Sequence, residues 1–134
     1  MKVVIDPNVL ISAVITSGVS AMLLDRWLTD RPFDVVVCPA LVGELRTVLA
    51  RERFRRWISV PESEIFVRRL EREAEQWADP ADVPAMTGDP KDDYLVALYL
   101  DCDADLLVSG DSDLLDLEAE DVDVLTPGDL LARL

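Results

Sequence analysis

The chain has 134 residues, half of them apolar, with 13 Lys and Arg against 27 Asp and Glu, a formal net charge of −14 and no histidine. That length fits one domain, residues 1–134, able to bury a real core. Lacking histidine, the chain has neither the commonest general base nor the usual transition-metal ligand, so any catalysis must rest on carboxylates, hydroxyls or an oxygen-bound cation.

Val3 to Ile5 is a β-branched run that predicts a short buried parallel strand, and Pro7 disfavours helical geometry at Asp6, so the strand ends there. Asn8 is placed to cap a helix from Val9. Leu23 to Trp27 predicts a second helix that closes near Asp30, before Arg31 and Pro32. Val35 to Val37 is the second strand, and Pro39 opens a helix running to about Ala50. Ser59 restarts helix toward Trp77, with Ile65, Phe66, Leu70, Ala74 and Trp77 along one stripe.

Residues 79–90 contain three prolines and Gly88 and read as a connecting loop. Tyr94 to Leu100 is apolar almost all round and, with Asp92 and Asp93 ahead of it, predicts a buried helix with an acidic start. A third strand is expected at Leu106 to Val108, a short helix at Ser112 to Leu117 and a fourth strand at Val122 to Leu125. Thr126 and Pro127 start a terminal helix, 128–133. Strands alternating with helices predict an α/β fold with a central parallel sheet flanked by helices.

The apolar runs are broken by charge before a membrane span could form, and Asp6 interrupts any signal-peptide core. A soluble, cytoplasmic protein without a membrane segment is therefore expected. Cys38 and Cys102 lie far apart with no CxxC spacing and read as buried thiols.

Charge is unevenly spread. Residues 46–72 carry eight bases and four acids, whereas residues 73–134 carry two bases and eighteen acids. All eight bases of the middle segment are arginines: Arg46, Arg51, Arg53, Arg55, Arg56, Arg68, Arg69 and Arg72. Two readings stay open for them, a solvated face paired with Glu52, Glu62, Glu64 and Glu71, or a surface for phosphates or a partner.

In open parallel sheets, ligands bind beyond the carboxyl ends of the strands. Asp6 follows the first strand and Asp111 the third, so both belong on that edge, while Glu44 borders the apolar face of the helix after the second strand. Asp93 heads the buried helix. Each acid has a plainer role: Asp93 and Asp111 suit helix N-caps, Asp6 suits an Asx turn onto Asn8, and Glu44 suits a partly exposed surface acid. Brought together, four carboxylates would repel unless neutralised, and with no histidine and no nearby lysine but Lys91 a divalent cation is the natural neutraliser, with Mg²⁺ or Mn²⁺ favoured.

"VIDPNVLISAV", "LVGELRTVL", "DPKDDYLVALYL", "LLVSGDSDLL" and "TPGDLLARL" follow one another from the first strand to the end of the chain. In that order they resemble the motifs of PIN-domain ribonucleases, above all the PIN-family (VapC-like) toxins of toxin–antitoxin systems. The resemblance implies a PIN-like fold with a central parallel sheet of four to five strands. It implies Asp6, Glu44, Asp93 and Asp111 as catalytic and metal-binding acids, with Asp113 as a further ligand. Asn8 and Ser109 fall on accessory positions, and Asp92 is the rival to Asp93; Asp93 is preferred because the apolar helix pattern begins directly after it. The implied activity is Mg²⁺- or Mn²⁺-dependent hydrolysis of RNA phosphodiester bonds. The implied partners are an RNA substrate, an antitoxin protein and a second copy in a homodimer. The arginines from Arg46 to Arg72 would then meet RNA phosphates or an acidic antitoxin segment.

One departure is Pro7, where many relatives have threonine. It keeps alive a catalytically inactive PIN module that serves only in binding. A receiver-type phospho-acceptor domain also gathers aspartates at strand ends, although it wants a lysine after a late strand where this chain has Thr126 and Pro127. A phosphatase with a nucleophilic aspartate would want an acid where Asn8 stands.

Overall fold

The computed structural model describes residues 1–134. In chain order the elements are β1 (Lys2–Ile5), α1 (Pro7–Ile15), α2 (Val19–Asp30), β2 (Asp34–Val37), α3 (Pro39–Leu49) and a 3-10 turn (Glu52–Phe54). They continue with α4 (Val60–Glu73), β3 (Glu75–Gln76), α5 (Pro90–Asp101), β4 (Leu106–Val108), α6 (Ser112–Leu115), β5 (Val124–Leu125) and α7 (Pro127–Arg133). The five strands form one sheet in the order β3-β2-β1-β4-β5, and every pair is parallel. The receiver reading is thereby overturned, because that fold runs 2-1-3-4-5 and would seat β1 beside β3.

Consecutive residues of a strand face opposite sides of the sheet, and Val3, Val4, Val36, Val37, Leu107 and Val108 are all fully buried. Both faces of the central strands are therefore covered, as the β-branched runs required. On one side α5 packs on β1 and β4, while α1, α2 and α7 pack together and α3 packs on α4. Trp27, Leu41, Leu45, Leu98 and Leu107 lie in one continuous core with these strands. No single helix is long and apolar enough to cross a membrane. Both cysteines are buried free thiols.

Local signals set most helix starts. Ser59 Oγ accepts from the Glu62 amide and Glu62 accepts from the Ser59 amide, both at 3.2 Å, a reciprocal cap that opens α4. Helix α1 starts earlier than expected: Asp6, not Asn8, is its N-cap, and Pro7 takes the first helical position, where its missing N–H leaves no bond unmade. Two further expectations are corrected. Helix α4 stops at Glu73 instead of reaching Trp77, because Ala74 turns extended and the Trp77 amide donates to the Val37 carbonyl at 2.9 Å. The two exposed residues between become edge strand β3, too short and too polar to carry a strand signal.

Candidate metal centre

The order of the sheet places the site. Strand β1 lies between β2 and β4, so the chain leaves its neighbours in opposite directions and opens a crevice beyond the ends of β1 and β4. Asp6 stands at that point, 4% exposed, its amide donating to the Val108 carbonyl at 2.9 Å. Its Oδ1 accepts from the Asn8 amide at 2.9 Å and its Oδ2 from the fully buried Ser109 hydroxyl at 2.8 Å. Burial raises the Asp6 pKa, the two donors oppose the rise, and the charges of Glu44 and Asp111 add to it. Ser109 Oγ also accepts from the Asp111 amide at 3.0 Å, so one hydroxyl ties both acids to the sheet edge.

Glu44 comes from α3, half-buried, with its Oε2 accepting from the Tyr94 hydroxyl of α5 at 3.0 Å. Burial and this carboxylate push the Tyr94 hydroxyl pKa far up, so it remains a donor. Asp92, in the first turn of α5, is 6% exposed and its Oδ2 is buried with no hydrogen-bond partner. Burial first, then the adjacent Asp111, raise its pKa to about 7. Asp6, Glu44, Asp92 and Asp111 line one cleft of about 170 Å³. Carboxylate oxygens of Asp92, Asp111 and the exposed Asp113 all lie within 4.8 Å of one another. An unpartnered buried oxygen among carboxylates, with no nitrogen or sulfur donor, fits a hard divalent cation such as Mg²⁺ or Mn²⁺.

Asp93 does not belong to this group, and the preference for it over Asp92 is corrected. Its Oδ1 accepts from the Met86 amide at 3.0 Å and from both the amide and the hydroxyl of Thr87 at 2.8 Å. These donors hold its pKa below the usual carboxylate range. Asp93 fastens the loop before α5, whose N-cap is Asp89, accepting from the Lys91 amide at 3.0 Å. The plainer roles of Asp6 and Asp111 also hold: Asp111 caps α6 through the Asp113 amide at 2.9 Å. Pro7 is buried at the start of α1 and leaves both donors to Asp6 intact.

The eight arginines do not form one surface. Arg46 binds Glu64 and Glu71, Arg68 pairs with Glu64, and Arg72 with Glu73. Arg55 is half-buried and turned inward, donating to the Leu49 carbonyl at the end of α3, which corrects its assignment to a phosphate-contacting face. Arg69 borders an apolar groove together with Ile65 and Phe66. Arg51 and Arg53 line the acidic cleft, with Lys91 as a third cation. Sequence reasoning missed the support given by Tyr94 and Thr87; a tyrosine in an apolar helix reads as core.

No curated protein matches the chain by sequence. Among solved structures, VapBC2 from Rickettsia felis, bound to a DNA fragment from its promoter, is similar with a TM-score of 0.67 at 9% identity, over 94% of this chain and 98% of that one. At that identity the likeness shows the fold alone. A PIN domain family model matches residues 2–113, and with the acids of β1, α3, α5 and the β4 edge gathered at one crevice, this chain belongs to the PIN domain family.

Proposed function

We propose that this protein is a Mg²⁺- or Mn²⁺-dependent endoribonuclease and the toxin half of a toxin–antitoxin pair acting in the cytoplasm. The observation that carries the reading is the meeting of Asp6, Glu44, Asp92 and Asp111 in one cleft, with a buried Asp92 oxygen left unpartnered. Carboxylates at such range repel unless a proton or cation joins them, and oxygen donors alone favour a hard divalent ion.

Asp92, Asp111 and Asp113 would hold that ion, with Asp6 beside them. When bound, a divalent ion supplies positive charge for the scissile phosphate and lowers the pKa of a water toward neutrality. The chain's own groups do the rest. Ser109 and the Asn8 amide favour the ionised form of Asp6 against its burial. Tyr94 holds one oxygen of Glu44 and leaves the other for the proton of an attacking water. A second cleft shares Asp6, Asn8 and Asp111 with the first, so the acids are open on two sides. Such openness suits a strand that passes across the site and is cut internally.

The antitoxin is the partner proposed for the apolar groove between α1, α2 and α4. Ala13, Val14, Leu24, Leu28 and Phe66 line it, with Ile65 68% exposed at its edge. Open apolar surface of this kind favours a protein partner, and the structurally similar VapBC2 is a toxin–antitoxin complex. Sedimentation of the chain alone, and with the product of the adjacent gene, tests the homodimer and the pair.

The activity is tested directly: purified protein with Mg²⁺ or Mn²⁺ is expected to cut single-stranded RNA, EDTA to stop it, and Asp6→Ala and Asp92→Ala to abolish it with circular dichroism unchanged. Equal cleavage by wild type and both variants would discard the site.

A further inference from the structure

Two of the cleft's three cations belong to one short segment, residues 51–57, which follows α3 and contains the 3-10 turn. It is a fixed element. Phe54 is 6% exposed and Ile58 is 7% exposed, and Arg55 between them is bonded to the Leu49 and Arg51 carbonyls. Against this backing Arg51 and Arg53 face the acids without a carboxylate partner of their own, unlike Arg46, Arg68 and Arg72. Guanidinium groups not held in an ion pair are left to take phosphate oxygens two at a time.

The same segment presents one exposed aromatic ring. Phe54 lines the cleft but is buried, and the Trp57 ring, outside the cleft's lining, lies 6.3 Å from it, centroid to centroid. Trp57 is 50% exposed, an unusual state for the largest apolar side chain, with the Arg56 guanidinium 4.8 Å from its ring. Arg53 likewise sits 4.7 Å from the Phe54 ring. An exposed aromatic ring close to unpaired cations is a combination by which proteins hold single-stranded nucleic acid, phosphates on the cations and a base on the ring.

We propose that residues 51–57 are a substrate-positioning wall that begins in this cleft and continues beyond it: Arg51 and Arg53, in the lining, take phosphates beside the scissile one, and Trp57, outside the lining, stacks an unpaired base of the same RNA strand. The assignment rests on the nuclease reading of the cleft, and it makes the substrate single-stranded at that base. Duplex RNA keeps its bases stacked on each other and offers Trp57 nothing.

The probe is a short mixed-sequence single-stranded oligoribonucleotide, with its perfect duplex as comparison, titrated in Ca²⁺ against wild type, Trp57→Ala, Trp57→Phe and the double variant Arg51→Ala/Arg53→Ala. Wild type should bind the single strand with quenching of tryptophan emission and discriminate against the duplex. Trp57→Ala should lose about ten-fold in affinity, while Trp57→Phe keeps most of it. The arginine pair should lower the dependence of log affinity on log salt by about 0.7 per lost phosphate contact. Trp57 is half exposed, so these variants are expected to fold, and Trp57→Phe guards the comparison. If both variants bind and cleave the single strand like wild type while Asp6→Ala is inactive, the wall is refuted and the nuclease stands. If nothing is cleaved in Mg²⁺ or Mn²⁺ but binding still depends on Trp57 and the arginines, the wall stands and the nuclease reading fails. Equal affinity for duplex and single strand refutes the stacking.

Discussion

The Ser109 hydroxyl donates to Asp6 Oδ2 at 2.8 Å across 103 residues of sequence, joining the end of β1 to the end of β4. The same oxygen accepts from the Asp111 amide, so the two acids of the sheet edge are spaced by one buried side chain. Removing it leaves a buried carboxylate and an amide short of partners. Ser109→Ala should destabilise the fold by about 1–3 kcal/mol in urea melts and cut activity, with Ser109→Thr restoring both. Unchanged values for the alanine variant would show that the bond positions nothing.

The neighbouring acids at the start of α5 separate by role. Asp92→Asn should remove metal-dependent stabilisation and lower cleavage at least about a hundred-fold, because it takes an ionic oxygen from the cluster. Asp93→Asn should keep metal binding but cost about 1–3 kcal/mol, since three donors of residues 86 and 87 lose their carboxylate. The reverse pattern, read by melting with and without Mn²⁺, would return the ligand to Asp93.

The pH dependence of the metal-free protein follows from Asp6 and Asp92. Burial raises both pKa values above those of the unfolded chain, that of Asp92 to about 7. Protonated carboxyls are therefore tolerated better in the fold than ionised ones. Their contribution is present in full below the ordinary carboxylate pKa and is lost as pH rises through the folded value. In EDTA the melting temperature should fall between about pH 4 and pH 7 and level off above that. Millimolar Mg²⁺ or Mn²⁺ should flatten that fall by neutralising the ionised acids with a cation in place of a proton. A metal-free melting temperature that climbs over this range would contradict the crowding of these acids.

Arg55 gives the control for the arginine segment. Its guanidinium is turned onto the Leu49 carbonyl and supports the turn beneath Phe54. Arg55→Ala should lower stability by about 1–2 kcal/mol in chemical denaturation and leave the salt dependence of RNA binding per molecule folded as in wild type. A reduced salt slope would place Arg55 among the phosphate contacts after all.

Much of this site was legible before the fold was known. Asp6 and Asp111 follow short apolar strand runs, and a parallel sheet sends the ends of such runs to one edge, so their meeting required only strand order. The choice between Asp92 and Asp93 was not legible. Helix α5 is buried nearly all round, Leu95 to Tyr99 without a break, so its pattern names no outer face from which to count back. The arginines misled for a related reason: sequence shows a charge but not whether a glutamate of another turn has taken it, as Glu64 and Glu71 have taken Arg46.

Periodicity, caps and residue types act locally, and they were enough for the α/β class, the positions of β1, β2, β4 and most helices, and the all-oxygen chemistry of a chain without histidine. Only the packed fold shows that Asp92 faces the cluster while Asp93 ties a loop, that two exposed residues become a fifth strand, and which arginines remain unpaired beside the cleft. Those outcomes depend on which surfaces meet, and a side chain's partners across the sheet are set by packing between segments far apart in the chain.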